Sequence, residues 1–308
     1  MLIHRLALCA MAAALLPLAC APSMRVEDYP EGAMTEASPE RVAAAERGTR
    51  KVVNAAWWGF DEKDATAALQ AALDSRAPTV IVPDMGKPWI VAKTIELRSL
   101  QTVLFERGVE VVAMKGKFRG KGEPLFLARG CRHLTLRGYG ATLRMRKADY
   151  QKPPYAKAEW RHALSLRGCS DVQILGLALR ESGGDGIYVG TGEQPYCEDV
   201  LIQDVTCDAN HRQGVSVITA QGLLIDNCRL LNTRGTAPQA GIDLEPNKPN
   251  ERLADVVIRN CLVEGNAGPG IYAYLKHLRR DSEPVSVRVE ACTVRRGGSF
   301  GIGGGAVG

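Results

Sequence analysis

Apolar and polar residues alternate in short runs along most of this chain, and the runs return at a nearly fixed interval. Four of them align as Gly186-Ile187-Tyr188-Val189, Gly214-Val215-Ser216-Val217, Gly241-Ile242-Asp243-Leu244-Glu245 and Gly270-Ile271-Tyr272-Ala273-Tyr274, with a fifth beginning at Gly301-Ile302. Successive glycines stand 28, 27, 29 and 31 residues apart. A second ladder precedes each rung: Asp171-Val172, Asp199-Val200, Gly222-Leu223 and Asp255-Val256. Self-similarity at such a period means stacked units, each too small to bury its own apolar face. Period-two alternation bounded by Gly, Asn and Asp is a strand signal rather than a helical one. The expectation is a parallel β-solenoid with two or three strands per coil.

Alternation also assigns faces. Ile187, Val215, Ile242, Ile271 and Ile302 should form one inward stack, and Val189, Val217, Leu244 and Ala273 the next. Tyr188, Ser216, Asp243 and Tyr272 then share an outward column, with Ile218, Glu245 and Tyr274 beside it. Ahead of the repeats, apolar positions 65, 68, 69, 72 and 73 fall on one face of a helix predicted over Asp61–Asp74. Such a helix can close the first coil against water and against other strands. Shorter strand-like runs follow from Thr79 to Ala113, and an irregular insertion from Arg144 to Arg161 interrupts the coils.

The helix followed by Val80-Ile81-Val82-Pro83, and the coils ending in Gly-Ile or Gly-Val, resemble the pectate-lyase-like superfamily of right-handed parallel β-helices. The likeness runs from about Val52 to Ile302. It implies an all-β, right-handed parallel β-helix with an N-terminal amphipathic capping helix. It does not carry one reaction, because that superfamily holds lyases, hydrolases, epimerases and adhesins. Polygalacturonase activity is not implied: Gly184-Asp185-Gly186-Ile187 matches only an Asp-Gly fragment of those enzymes' motifs, and their Asp pair, Gly-His-Gly and Arg-x-Lys are missing.

Composition changes the picture at the N-terminus. Residues 1–20 read as an export signal: Arg5, an apolar stretch, then Leu16-Pro17-Leu18-Ala19-Cys20. That ending resembles a bacterial lipoprotein box, with Pro17 where Leu is usual, and implies lipidation of Cys20. Residues 21–50 read as a flexible polar tether without helical periodicity, and 51–308 as the β-helix domain. The expected location is periplasm or cell surface, with the membrane touched only through the lipid. Nine cysteines in an exported chain would ordinarily suggest disulfides. Here Cys131, Cys169 and Cys197 share one place in the repeat, and Cys228, Cys261 and Cys292 another, so stacked buried thiols are expected instead.

Net charge is +5, with ten Lys and Arg against one acid between Lys115 and Lys147. This stretch reads as a solvated, Lys-rich edge or as a patch for a polyanion, with sparse aromatics and export arguing against nucleic acid. Chemistry gathers elsewhere. Asp243 and Glu245, with Asp185, are the candidate catalytic acids, and Tyr188, His211, Arg212, Gln213, Ser216, Tyr272 and Tyr274 the candidate substrate contacts. Tyrosines beside carboxylates suit a sugar ring. Glycosidic hydrolysis by two carboxylates is the favoured reading. A uronate lyase or epimerase is the alternative, with Ca²⁺ between the acids if it is a lyase. A non-catalytic glycan-binding solenoid is the third. The partner in each case is a polysaccharide or oligosaccharide, and no cofactor is required for hydrolysis. The sugar and the oligomeric state are left open.

Overall fold

The computed structural model describes residues 34–305. Cys20 and the export signal lie outside the described residues. Among the described residues twenty-five short strands form three sheets, all pairs parallel, and each full coil contributes one strand to each sheet. The first sheet runs from Val52–Asn54 to Val287–Glu290, the second from Trp89–Val91 to Thr293–Arg295, and the third from Ile95–Glu96 to Ile302–Gly304. This is a parallel β-helix. In the third sheet Leu164, Ile187, Val215, Ile242, Ile271 and Ile302 stand in register, each above the last. Leu164 to Ile242 are completely buried, so this stack is the core.

The glycine ladder has a steric origin. At Gly241 an added Cβ would lie 2.2 Å from Val263 Cγ1, and at Gly186 it would lie 2.6 Å from the Gly214 carbonyl oxygen and 2.7 Å from Cys207 Sγ. At this corner the backbone approaches the side chains of the second sheet too closely for any side chain. The Asp-Val ladder has a conformational origin. Asp171, Asp199 and Asp255 take left-handed φ of 51°, 51° and 52°, and Gly222 takes 68°. These residues drop out of the strand register, in which Ser170 pairs with Glu198 and Val172 with Val200. Each is a one-residue bulge, which Asp and Gly tolerate best.

Helix α1 (Pro39–Glu46) and helix α2 (Thr66–Asp74) precede the regular coils. α2 buries Ala68, Leu69, Ala72 and Leu73 and packs on the first strands of all three sheets. It begins five residues later than predicted because Asp61 and Asp64 turn the preceding chain: their side chains accept from the amides of Lys63 and Thr66. α1 differs from expectation, since the segment 21–50 was read without helical periodicity. Ser38 caps it by accepting from the Arg41 amide at 3.4 Å, and Pro39 supplies its first residue. Trp57 Nε1 donates to the Met34 carbonyl at 2.7 Å, tying this segment to the first coil.

The seven cysteines among the described residues are free thiols, and six are buried. Cys131, Cys169 and Cys197 donate to carbonyls of Leu97, Ala128 and Gly190, all in the third sheet's part of the coil or just after it. Cys228, Cys261 and Cys292 do so at a different corner.

Candidate functional site

The third sheet positions the candidate residues. The strand pairs place Ser165, Tyr188, Ser216, Asp243 and Tyr272 in one outward column. Two residues before the inward stack, Gln213 pairs with Ala240, and Asp185 occupies the same place one coil earlier. The amide of Gly186 donates to the Gln213 carbonyl. One coil earlier again stands His162, whose Nδ1 accepts from the Asp185 amide at 3.1 Å. A second column, His162–Asp185–Gln213, therefore flanks the first. The sequence reading missed His162 because its rung lacks the Gly-Ile signature; extending the Asp185–Gln213 column back by one coil would have found it.

Two walls flank this face. The insertion enters just before Leu164–Arg167, and the long connections 245–252 and 274–286 leave after Ala240–Leu244 and Ile271–Ala273. Arg161 fixes the base of the insertion, its guanidinium donating to the carbonyls of Phe118, Arg119 and Ala156. Glu159 is thereby held over the face, with Oε1 3.7 Å from Arg212 Nε.

Burial corrects the expectation of a solvated surface. Asp243, Asp185, Gln213 and Ser216 are fully buried (0% exposed), although they sit outside the core stack. Glu245 and Arg212 keep 21% and 15% of their side chains exposed and form the way in. Arg212 donates to Glu245 Oε2 at 3.0 Å and to Gln213 Oε1 at 3.1 Å. Gln213 Nε2 in turn donates to Asp243 Oδ2 at 2.7 Å. Burial is the largest effect on Asp243, and the neighbouring Glu245 charge adds to it. Together they push its pKa up to about 8 against the opposing Gln213 bond and Arg212 charge. Asp243 is a neutral acid at pH 7, beside a Glu245 carboxylate held by arginine.

Other candidates are placed differently. His211 does not join the acids. Its Nε2 lies 2.9 Å from Thr236 Oγ1 and its Nδ1 3.3 Å from Gln151 Nε2, so the ring links the insertion to the connection that precedes Ala240–Leu244. Burial and the Lys147 charge lower its pKa. Tyr188 stacks on His162 with centroids 4.8 Å apart at 22°, and Arg167 lies over the Tyr188 ring at 4.7 Å. Tyr272 and Tyr274 form a half-exposed aromatic row with Phe300 and His277. Asp185 has no hydrogen-bond partner for either carboxylate oxygen. The 3.1 Å approach of Oδ2 to His162 Nδ1 is no hydrogen bond, since that nitrogen accepts the amide.

No group of three or more His, Cys, Asp or Glu is arranged to hold a metal among the described residues, and Glu245 is committed to Arg212. Two clefts, of about 400 and 210 Å³, lie away from this face, by Lys93 and Phe118 and by Arg132 and Tyr196. They contain neither acid of the pair.

The sequence profile of the family described as "Right handed beta helix region" matches residues 156–306. An uncharacterized protein of Bacillus subtilis (strain 168), YclG, is 27% identical over 126 residues, which is 37% of this chain and 22% of that protein. Among solved structures, the pre-mature gene product 12 of bacteriophage phi29 superposes with a TM-score of 0.64 at 18% identity, covering 81% of this chain and 33% of that one. The tailspike protein mutant D339N of E. coli bacteriophage HK620, in complex with pentasaccharide, gives 0.62 at 14% identity, covering 84% and 48%. The chain thus spans less than half the length of each of these proteins, and the structural likenesses establish the fold alone. This chain is a right-handed parallel β-helix protein.

Proposed function

We propose that this protein cleaves glycosidic bonds of a polysaccharide by hydrolysis, at the face built around Asp243 and Glu245. The observation that carries the proposal is the contrast between two neighbouring acids. Asp243 keeps its proton at neutral pH, and Glu245 is paired with Arg212. Opposed environments of this kind separate an acid from a base. Asp243 would protonate the departing glycosidic oxygen. Glu245 would activate water or meet the positive charge growing on the sugar. The half-exposed Tyr272 and Tyr274 offer aromatic faces for sugar C–H groups. A fold likeness to a tailspike crystallised with a pentasaccharide agrees with a saccharide partner. β-Elimination on a uronate is the alternative chemistry, read by its unsaturated product.

One observation favours a second reading, glycan binding without cleavage: Asp243 is wholly buried, whereas the tyrosine row is open. A polysaccharide panel separates the readings. New reducing ends that disappear in Asp243→Asn support hydrolysis, an unsaturated uronate product would replace it with elimination, and binding without either product leaves the binding reading standing. A lipid on Cys20 would hold this activity at an envelope membrane.

A further inference from the structure

Twelve buried side-chain nitrogen and oxygen atoms have no hydrogen-bond partner among the described residues, and six of them converge on the third sheet. They are His162 Nε2, both Asp185 carboxylate oxygens, Arg212 Nε, Ser216 Oγ and Asp243 Oδ1. Polar groups are seldom buried unpaired, so such a concentration marks a place where something polar binds. Three coil steps separate the His162 rung from the Asp243 rung, about 14 Å at ~4.8 Å per step.

We infer that His162, Asp185 and Ser216, beside Tyr188, form a subsite for an uncharged sugar ring next to the Asp243–Glu245 pair. This rests on the glycan reading above and narrows its substrate class. His162 Nδ1 accepts the Asp185 amide, so the ring proton is on Nε2, a donor without an acceptor. Asp185 supplies two acceptors without donors, and Ser216 Oγ can do either. Sugar hydroxyls donate and accept, and can complete all three. Tyr188 is the ring stacked on His162 at 4.8 Å and shares the column with Ser216. A uronate or sulfate does not fit. Three carboxylates, Glu159, Asp185 and Glu245, stand against two guanidiniums: Arg212, with Glu159 at 3.7 Å and Glu245 at 3.0 Å from it, and Arg167 over the Tyr188 ring. A further anion would meet net negative charge in a buried setting. Filling the subsite requires the face to open, since the unpaired atoms are shielded from solvent.

Calorimetric titration of the full chain tests this, with neutral hexasaccharides of glucose, mannose and galactose set against hexamers of galacturonate and mannuronate. Neutral hexamers should bind at least about tenfold more tightly than uronates. Asp185→Asn and Ser216→Ala should each weaken neutral binding by roughly tenfold. Ser216→Ala also guards against misfolding: its hydroxyl has no partner to lose, so it should melt like the wild type while binding falls. Tighter binding of uronates overturns the subsite and leaves the proposed function intact. So does neutral binding unchanged in both variants, which would assign the unpaired atoms to trapped water. If no saccharide in either set binds, the glycan reading itself fails and the subsite with it.

Discussion

Gln213 donates a 2.7 Å hydrogen bond to Asp243 across two adjacent coils, while the same amide accepts from Arg212 at 3.1 Å. One buried amide thus links a neutral acid to the cation that holds its ionised neighbour, Glu245. Burial, with the Glu245 charge added to it, holds the Asp243 pKa up, while Glu245, two residues on and part-exposed, reaches Arg212 directly.

That relationship predicts a pH dependence. The pKa of Asp243 is about 8 in the folded chain against about 3.9 for an ordinary Asp. Between these values the folded chain holds a proton that the unfolded chain has released. Stability therefore falls as pH rises through this window, and the whole penalty is present above about pH 8. Asn reproduces the shape of a protonated Asp and cannot ionise. Asp243→Asn should be more stable than the wild type at pH 9, by about 1–3 kcal/mol, with the difference vanishing toward pH 4. Calorimetric melting of both proteins across that range checks it. In the same variant turnover should fall about a hundredfold or more; retained turnover would move the acid elsewhere.

Removing Arg212 should be costly for a different reason. Arg212→Ala leaves Glu159, Glu245 and Asp185 without their shared cation. A loss of about 2–4 kcal/mol is expected from denaturant unfolding, as for other partly buried pairs broken on one side. Adding Glu245→Gln should recover part of that loss, since it removes one of the stranded charges. Additive losses in the double variant would show that Arg212 and Glu245 are not coupled.

The coil architecture was legible in the sequence because a solenoid repeats its constraints. Gly186, Gly214 and Gly241 recur since the same corner is crowded in every coil, and Asp171, Asp199 and Asp255 recur since the same bulge needs a left-handed residue. The outward column of Tyr188, Ser216, Asp243 and Tyr272 followed from strand alternation alone. What alternation could not supply was depth. Asp243 and Ser216 lie outside the core stack, yet both are fully buried, and long segments from outside their strands flank the face. His162 escaped notice because a single coil's deviation erased its signature. α1 escaped because an eight-residue helix that buries only Ala45 leaves little amphipathic pattern.

The lipid tether on Cys20 is tested in cells. Cys20→Ser should move the protein from the membrane fraction into the soluble envelope fraction, because a covalent acyl chain is the proposed anchor. Fractionation followed by immunoblotting reads the result directly, and an unchanged distribution would refute lipidation as the anchor.

The corner glycines carry a stability prediction of their own. Gly241→Ala would place a Cβ 2.2 Å from Val263 Cγ1 and 2.8 Å from the Gly270 carbonyl oxygen. The strain should cost about 1–3 kcal/mol. Val263→Ala in the same chain removes the first clash and should return part of the loss, whereas the backbone contact persists. Asp199→Gly, at a left-handed position, should by comparison be nearly neutral, since glycine adopts that φ freely. Urea midpoints of the three variants, set against the wild type, rank these effects.

The thiol ladders predict chemical silence. Burial raises the Cys207 thiol well above its ordinary range, and a thiol kept protonated does not attack disulfide reagents. Cys131 is raised too, chiefly through its neighbour Cys169 in the ladder and then through burial; Cys197 and Cys261 are lowered by their ladder neighbours, and burial alone keeps reagent from them. Among the described cysteines, an aromatic disulfide reagent should therefore modify no more than Cys292, the single one that is half-buried, until denaturant is added. A reducing agent should leave the melting temperature unchanged, because none of these seven thiols is in a disulfide. Prompt reaction of two or more of them in the native protein would mean that the coils open locally around the ladders. A melting temperature that drops under reduction would instead require a disulfide that the stacked arrangement does not contain.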